Sequence, residues 1–244
     1  MDLVNQQYWD ASYSNFQYFV AEDNITKWLD HYAHLLPQGG RMFEFGCFPG
    51  RYMAHLGKKG LEVNGMDLVP NMDEGFSGWL QSLGIATGLL ERGDVLAYAA
   101  NTEDRYDVVC SFGFIEHFRN FSEIIALHHR ILKPGGLLLL TTPNFRGGLQ
   151  HFLRSTLDKE NLARHYIPSM QPPLWAEQLQ AFGYKVPYAG CFGKYDFWHD
   201  PQDRNAFQKA GLQFAYKLIP LLKSLPDGAF HSPYCGLVAQ KPVA

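Results

Sequence analysis

A chain of 244 residues suits one α/β domain with a cap or insertion better than two full domains. With 46% hydrophobic and 18% charged residues and 14 prolines spread along its length, it has a globular composition, which excludes disordered, fibrous and low-complexity classes. A formal charge of -3 with pI near 6.3 offers no basic stripe for a phosphate backbone, which argues against a nucleic-acid partner.

At the amino end, Val4 to Val20 is crowded with Tyr8, Trp9, Tyr13, Phe16, Tyr18 and Phe19, and Asn24 to Leu36 reads as a helix ended by Pro37. Residues 1–36 are expected to form a lid, or to pack the outside of a sheet. From 41 to 142 short apolar runs alternate with helix-like stretches. The strands are Arg41 to Phe45, Leu61 to Met66, a weaker Gly88 to Arg92, Tyr106 to Phe112 and Gly136 to Thr142. Arg51 to Lys59 reads as a helix closed by Gly60, and Phe121 to Leu132 as another, stopped by Lys133-Pro134-Gly135-Gly136. This βαβ rhythm implies a parallel sheet covered on both faces.

Pro143 to Pro173 has few strand signals and many polar and basic residues, so 143–173 is expected to be an irregular substrate cap. A helix (Leu174 to Phe182), a strand (Tyr184 to Phe192), an amphipathic helix (Arg204 to Leu225, with Pro220 expected to kink it) and a strand (Tyr234 to Gln240) complete the chain. The lysine-bearing helix is expected to pack on the domain or at a dimer interface, a membrane surface being the less common use of such a face.

Cys47, Cys110, Cys191 and Cys235 lie far apart in apolar segments without a C-x-x-C pair, which reads as free thiols rather than zinc ligands. The amino terminus lacks a basic segment followed by an apolar run, and no stretch approaches eighteen apolar residues. A cytoplasmic protein with no transmembrane segment, monomeric or homodimeric, is therefore expected.

The most informative turn is Glu44-Phe45-Gly46-Cys47-Phe48-Pro49-Gly50. At the carboxyl end of a first parallel strand a ligand meets backbone N–H groups and the positive end of the next helix, provided glycine leaves room. Gly46 allows a tight turn, Gly50 opens the helix, and Glu44 leaves a carboxylate at the strand end. The E-x-G-x-x-x-G spacing differs from the G-x-G-x-x-G of nicotinamide enzymes, so a dehydrogenase fits poorly.

With Gly65-Met66-Asp67-Leu68-Val69, Gly93-Asp94-Val95-Leu96, Ile115-Glu116-His117-Phe118 and Leu132-Lys133-Pro134-Gly135-Gly136 in order behind it, this turn resembles the class I S-adenosylmethionine-dependent methyltransferases over about residues 41–142. The resemblance implies a doubly wound, mostly parallel seven-stranded sheet with an antiparallel last strand and a helical cap, forming a single methyltransferase domain. It implies S-adenosyl-L-methionine as cofactor and a small organic molecule as acceptor. Glu44, Gly46, Cys47 and Gly50 would cradle its methionine part and Asp67 would bind the ribose hydroxyls. Leu68 would pack on the adenine, and Asp94 and Val95 would meet its amino group and ring. Ser111 at the end of the fourth strand and Tyr13 of the lid complete the expected contacts.

Methyl transfer is an in-line displacement, so positioning and exclusion of water matter most. For a hydroxyl acceptor a base must take the proton. His117 is the first candidate and His165 the second, each also readable as a residue that shapes the pocket. Oxygen is favoured over nitrogen as the accepting atom. Glu116-His117 also resembles part of the E-x-x-E-H metal site of ubiquinone-biosynthesis and small-RNA 2′-O-methyltransferases, but Gly113 stands where the first glutamate would, so no metal is expected. In the cap, Asn144, Arg146, His151, Arg154, Arg164, His165 and Tyr166 are candidate acceptor contacts, and Gly193 to Trp198 a candidate wall. The alternatives are a non-catalytic S-adenosylmethionine-binding protein of the same fold, and aminopropyl transfer, for which Ser111-Phe112-Gly113 lacks the acidic pair.

Overall fold

Arg41 to Phe45 is apolar toward both sides, with Phe43 and Phe45 facing one way and Met42 the other, as a strand buried on both faces requires. It is the centre of the fold in the computed structural model, which describes residues 3–4, 6–13, 16–72, 74–199 and 203–243. Met1, Asp2, Asn5, Ser14 and Asn15 of the expected lid lie outside the described residues.

In chain order the elements are α1 (Gln6–Ser12), α2 (Asn24–His31), β1 (Arg41–Phe45), α3 (Arg51–Gly57), β2 (Glu62–Asp67), α4 (Glu74–Ser82), β3 (Thr87–Arg92), α5 (Val95–Asn101), β4 (Tyr106–Phe112) and α6 (Phe121–Ile131). Then follow β5 (Leu132–Pro143), α7 (Gly148–Leu157), α8 (Lys159–Ala163), α9 (Pro172–Ala181), β6 (Lys185–Phe192), α10 (Ala206–Leu222) and β7 (Tyr234–Gln240). The described residues form one seven-stranded sheet in the order β3-β2-β1-β4-β5-β7-β6, parallel except that β7 runs antiparallel between β5 and β6. That is the expected fold. The order reverses between β1 and β4, and a crevice at the carboxyl ends of strands on either side of such a reversal is where ligands bind in open α/β sheets.

Two apolar layers close the faces. Val95 and Ala99 of α5, Ile124 and Ile125 of α6, and Trp175 and Leu179 of α9 pack with Phe43, Val109 and Leu138 on one side. On the other, Trp28 and Leu29 of α2, Met53 and Leu56 of α3, and Phe76 and Leu80 of α4 cover Met42, Val108 and Leu139. Asp23 starts α2 by accepting from the backbone N–H groups of Ile25 and Thr26, and the Asp23 N–H donates in return to Thr26 Oγ1. The other oxygen of Asp23 accepts from the Tyr52 hydroxyl at 2.9 Å and so ties α2 to α3.

Three expectations change. The helix after Asn24 ends at His31, and Ala33–Leu35 is a separate 3-10 turn. Residues 143–173 are not irregular: α7, α8 and a 3-10 turn at Ile167–Ser169 fill them. Leu149, Leu153 and Leu157, four apart on one face of α7, pack in a third apolar cluster with Leu212 and Ala215 of α10. The helix expected over Arg204 to Leu225 is shorter, Ala206–Leu222, with Pro220 in its last turn.

Arg154 of α7 is fully buried and donates to Asp158 at 2.6 Å, with the rings of Phe145, Trp198 and Phe197 at 4.4, 4.6 and 4.7 Å. Asn161 donates to the same carboxylate at 2.9 Å, and Arg204 approaches it at 3.6 Å. This buried ion cluster joins α7, α8 and the chain entering α10.

Candidate active site

A cavity of about 800 Å³ opens at the carboxyl ends of β1, β2, β4 and β5, a size that suits a cofactor and a small acceptor together. The turn after β1 forms its floor. Gly46 (φ 64°) and Gly50 (φ 76°) adopt the left-handed backbone that favours glycine. A Cβ on Gly46 would lie 2.5 Å from the Phe114 ring and one on Gly50 2.4 Å from Phe76, so the turn has no room for side chains at either position.

Glu44 is buried and lines the cavity, and its Oε2 has no hydrogen-bond partner. Burial, aided by the charge of Asp67, pushes its carboxyl well above the usual range, and Arg51 opposes this. An unpartnered carboxylate oxygen beside a cavity is a place for a donor or cation of a ligand. Asp67 accepts from the Phe48 N–H at 3.1 Å through one oxygen and from the Val69 N–H at 3.2 Å through the other. Burial raises its pKa to about 6 against these backbone hydrogen bonds.

Leu68 lines the cavity and is 46% exposed, an apolar face that a planar ring could cover. Asp94 also lines the cavity, with one oxygen accepting from the N–H groups of Leu96 and Ala97 as the cap of α5. Val95, Cys47 and Tyr13 line it as well. The Tyr13 ring meets Phe48 edge-on at 5.0 Å, and burial first, then Asp67, lifts its hydroxyl to about 12.

Ser111 is a correction. It is fully buried and its hydroxyl pairs with His128 Nε2 at 3.1 Å, away from the cavity lining. Strand alternation explains it, since the next residue, Phe112, faces the other way and lines the cavity. His128 in turn stacks on Phe45 at 3.7 Å.

His117 is buried at the other end, in the 3-10 turn Ile115–His117. Its Nδ1 lies 3.1 Å from the Arg164 carbonyl oxygen, its own carbonyl accepts from Leu3 N–H at 2.9 Å, and Trp9 meets its ring edge-on at 5.1 Å. Burial lowers its pKa to about 4. His165 stands beside it, ring centroids 4.9 Å apart, with Nδ1 bonded to the Asn161 carbonyl at 2.6 Å. It does not line the cavity, but one ligand atom each of Glu116, His117 and His165 lie within 4.8 Å of one another. Burial pushes the Glu116 carboxyl to about 8.

The other cap candidates divide. Arg154 is committed to Asp158, and Asn144 donates to the carbonyls of Ala229 and Ser232 at 2.9 Å each, so neither is an acceptor contact. His151 faces the Phe145 carbonyl at 3.2 Å, and the Arg164 guanidinium covers the Tyr8 ring at 4.4 Å. Arg146, Arg164, His151 and Tyr166 are likewise absent from the cavity lining. Trp198 does line it, stacked on Tyr234 at 5.3 Å. Trp9 and Tyr234 also line it and were not singled out from the sequence. Both are aromatic residues in segments whose apolar positions had equal use as packing.

A family model described as a methyltransferase domain matches residues 16–216. The ubiquinone biosynthesis O-methyltransferase of Burkholderia thailandensis is 29% identical over 146 residues, which are 56% of this chain and 57% of that protein. The chain thus spans little more than half the length of such curated relatives. Among solved structures, a SAM-dependent methyltransferase from Archaeoglobus fulgidus aligns with a TM-score of 0.54 at 17% identity, over 89% of this chain and 93% of the other. Magnesium protoporphyrin IX methyltransferase from Synechocystis with bound SAH aligns at 0.55 and 15% identity, over 89% and 80%. At such identities these likenesses speak for the fold.

Proposed function

The chain belongs to the class I S-adenosylmethionine-dependent methyltransferases, and from that premise we propose that it methylates an oxygen of a neutral, largely apolar small molecule at the His117 end of the cavity. Bound S-adenosylmethionine supplies an electrophilic methyl group on a sulfonium. Its fit rests on the unpartnered, buried Glu44 oxygen that lines the cavity, with Asp67, Leu68 and Asp94 as the lining residues that would hold the rest.

One observation carries the acceptor class. The charged lining residues lie at the ends of β1 and β2 (Glu44, Asp67), at the start of α3 (Arg51) and just after β3 (Asp94). Toward His117 the walls are Val4, Trp9, Phe114 and Phe118, while Trp198 and Tyr234, stacked together, line another part of the cavity, and the Thr141 hydroxyl is buried and unpartnered among the lining residues. Burying an ionised acceptor there would be costly, whereas a hydroxyl-bearing ring is suited to it. The O-methyltransferase activity named for the Burkholderia relative supports oxygen as the atom. The chain's residues would bind and orient the acceptor and exclude water, and the neutral imidazole of His117 would take the hydroxyl proton. Phenols, alcohols, amines and carboxylic acids are to be offered with a labelled methyl donor and the products read by mass spectrometry. Labelled ethers from neutral phenols or alcohols are expected; label only in amines or carboxylates would refute the proposal.

A second reading follows from Glu116, His117 and His165, a carboxylate and two imidazoles close enough to hold one divalent cation. The expectation of no metal considered Gly113 and not His165, which the cap supplies. A cation there would lower the pKa of an acceptor hydroxyl. Loss of turnover in a chelator, restored by added metal, favours this reading; unchanged turnover favours His117 as base.

Asp67 gives a separate check on the cofactor half. Asp67→Asn puts an amide where two backbone N–H groups need acceptors and removes a charged acceptor for the ribose, so calorimetry should find S-adenosylmethionine bound about tenfold more weakly. In the parent, affinity should fall as pH drops through about 6, where the carboxyl takes up a proton. Equal affinity in the two proteins at neutral pH would remove Asp67 from the binding site.

A further inference from the structure

Cys191 of β6 and Cys235 of β7 are direct partners across an antiparallel pair, and their sulfurs lie 3.7 Å apart. Directly opposed residues of antiparallel strands hold their Cα atoms about 4.5–5.5 Å apart, within the separation that a disulfide spans, and their Cβ atoms project from the same face. Closing the bond therefore needs side-chain rotation and a small strand adjustment.

We propose that Cys191 and Cys235 form a peroxide-reactive dithiol that closes to a disulfide across the outer edge of the sheet. The two thiols have different surroundings. Cys191 is partly exposed on the edge strand, and the S–H of Cys235 together with the charge of Arg146 holds its thiol below the usual range. Cys235 is buried, and the same sulfur contact plus burial pushes its thiol up, so it keeps its proton. Its Sγ also lies 3.7 Å from the Met170 carbonyl oxygen.

The Cys191 thiolate attacks one oxygen of hydrogen peroxide, the O–O bond breaks, and the departing hydroxide becomes water on taking a proton. Cys191 is then a sulfenic acid. The Cys235 sulfur attacks that sulfur, the S–O bond breaks, and a second water leaves with the Cys235 proton. Two thiols are oxidised and one peroxide is reduced to two waters. Cys110, fully buried and pushed to a high pKa by burial, serves as an internal control.

The full chain is to be treated with hydrogen peroxide, alkylated, and digested with trypsin without reductant. The expected product is Val186–Lys194 joined to Ser224–Ala244, two hydrogens lighter than the separate peptides, with Cys110 alkylated as in the untreated protein. Dithiothreitol should restore both alkylated peptides, and Cys191→Ser should give no linked peptide and leave Cys235 reduced. Four results would overturn the proposal: sulfinic or sulfonic acid at Cys191 without a link, a link to Cys47 or Cys110, a link between two chains, or both thiols reduced at peroxide levels that oxidise free cysteine.

Discussion

With S-adenosylmethionine and acceptor saturating, His117→Ala is expected to turn over at least about 100-fold more slowly than the parent, with S-adenosylmethionine affinity nearly unchanged. The Arg164 carbonyl can only accept, so Nδ1 of His117 carries the hydrogen and Nε2 keeps the lone pair. With its pKa lowered to about 4 by burial, the imidazole is neutral at neutral pH and stays available until the pH falls through about 4. The kcat profile should therefore lack an acidic limb near 6.5, the ordinary histidine value. The stability sign is related. Because the folded pKa is depressed, the contribution of His117 is complete above about 6.5 and is lost as pH falls toward about 4, so the profile needs a parallel thermal-unfolding series. Full turnover by His117→Ala, or an acidic limb at 6.5 in a protein that remains folded, would take the imidazole out of the chemistry.

Asp158→Ala is expected to cost about 3–5 kcal/mol and to lower Tm by roughly 10 °C. The substitution leaves Arg154, fully buried, and Arg204, nearly so, without the carboxylate they share, and two guanidinium nitrogens of Arg154 already lack partners. Stacking against Phe145, Phe197 and Trp198 offsets only part of such a charge. The double variant Arg154→Met/Asp158→Ala removes the principal charge with its counter-ion and should recover more than half of the loss. Denaturant unfolding of the three proteins measures this. A loss below about 1 kcal/mol in Asp158→Ala would mean that the cluster does not hold the cap.

The sheet was legible because buried parallel strands are continuous apolar runs, and Glu44 to Gly50, Asp67 and Asp94 sit where such runs stop. The helices α4 and α5 were not. Gly75 and Gly78 lower the intrinsic helix preference of α4, and α5 is seven residues long, so tertiary packing of Phe76, Leu80, Val95 and Ala99 decides both. In the cap, polar and basic residues hid the four-residue spacing of Leu149, Leu153 and Leu157. Arg154 could be read from the sequence as solvated or as paired with nearby Asp158; the pair is present, and what its charge concealed is that both side chains are fully buried. Ser111 failed for another reason, since a strand of known position still has two faces and a single residue does not disclose which one it occupies. The grouping of His117 with His165 needed the fold itself, because it brings a residue of the cap to the loop after β4.

That loop is bound on both flanks by main-chain groups. Leu3 N–H donates to the His117 carbonyl, Tyr166 N–H to the Glu116 carbonyl at 2.7 Å, and Arg164 supplies the oxygen that fixes the His117 ring. The consequence concerns modularity. Exchanging residues 143–173 for the cap of a relative would replace only Pro143 of the cavity lining yet release His117, so a cap exchange would disturb proton transfer while leaving most of the acceptor wall in place. New acceptors would be reached through side chains such as Trp198 or Tyr234, which line the cavity without holding the loop, rather than by transplanting whole segments.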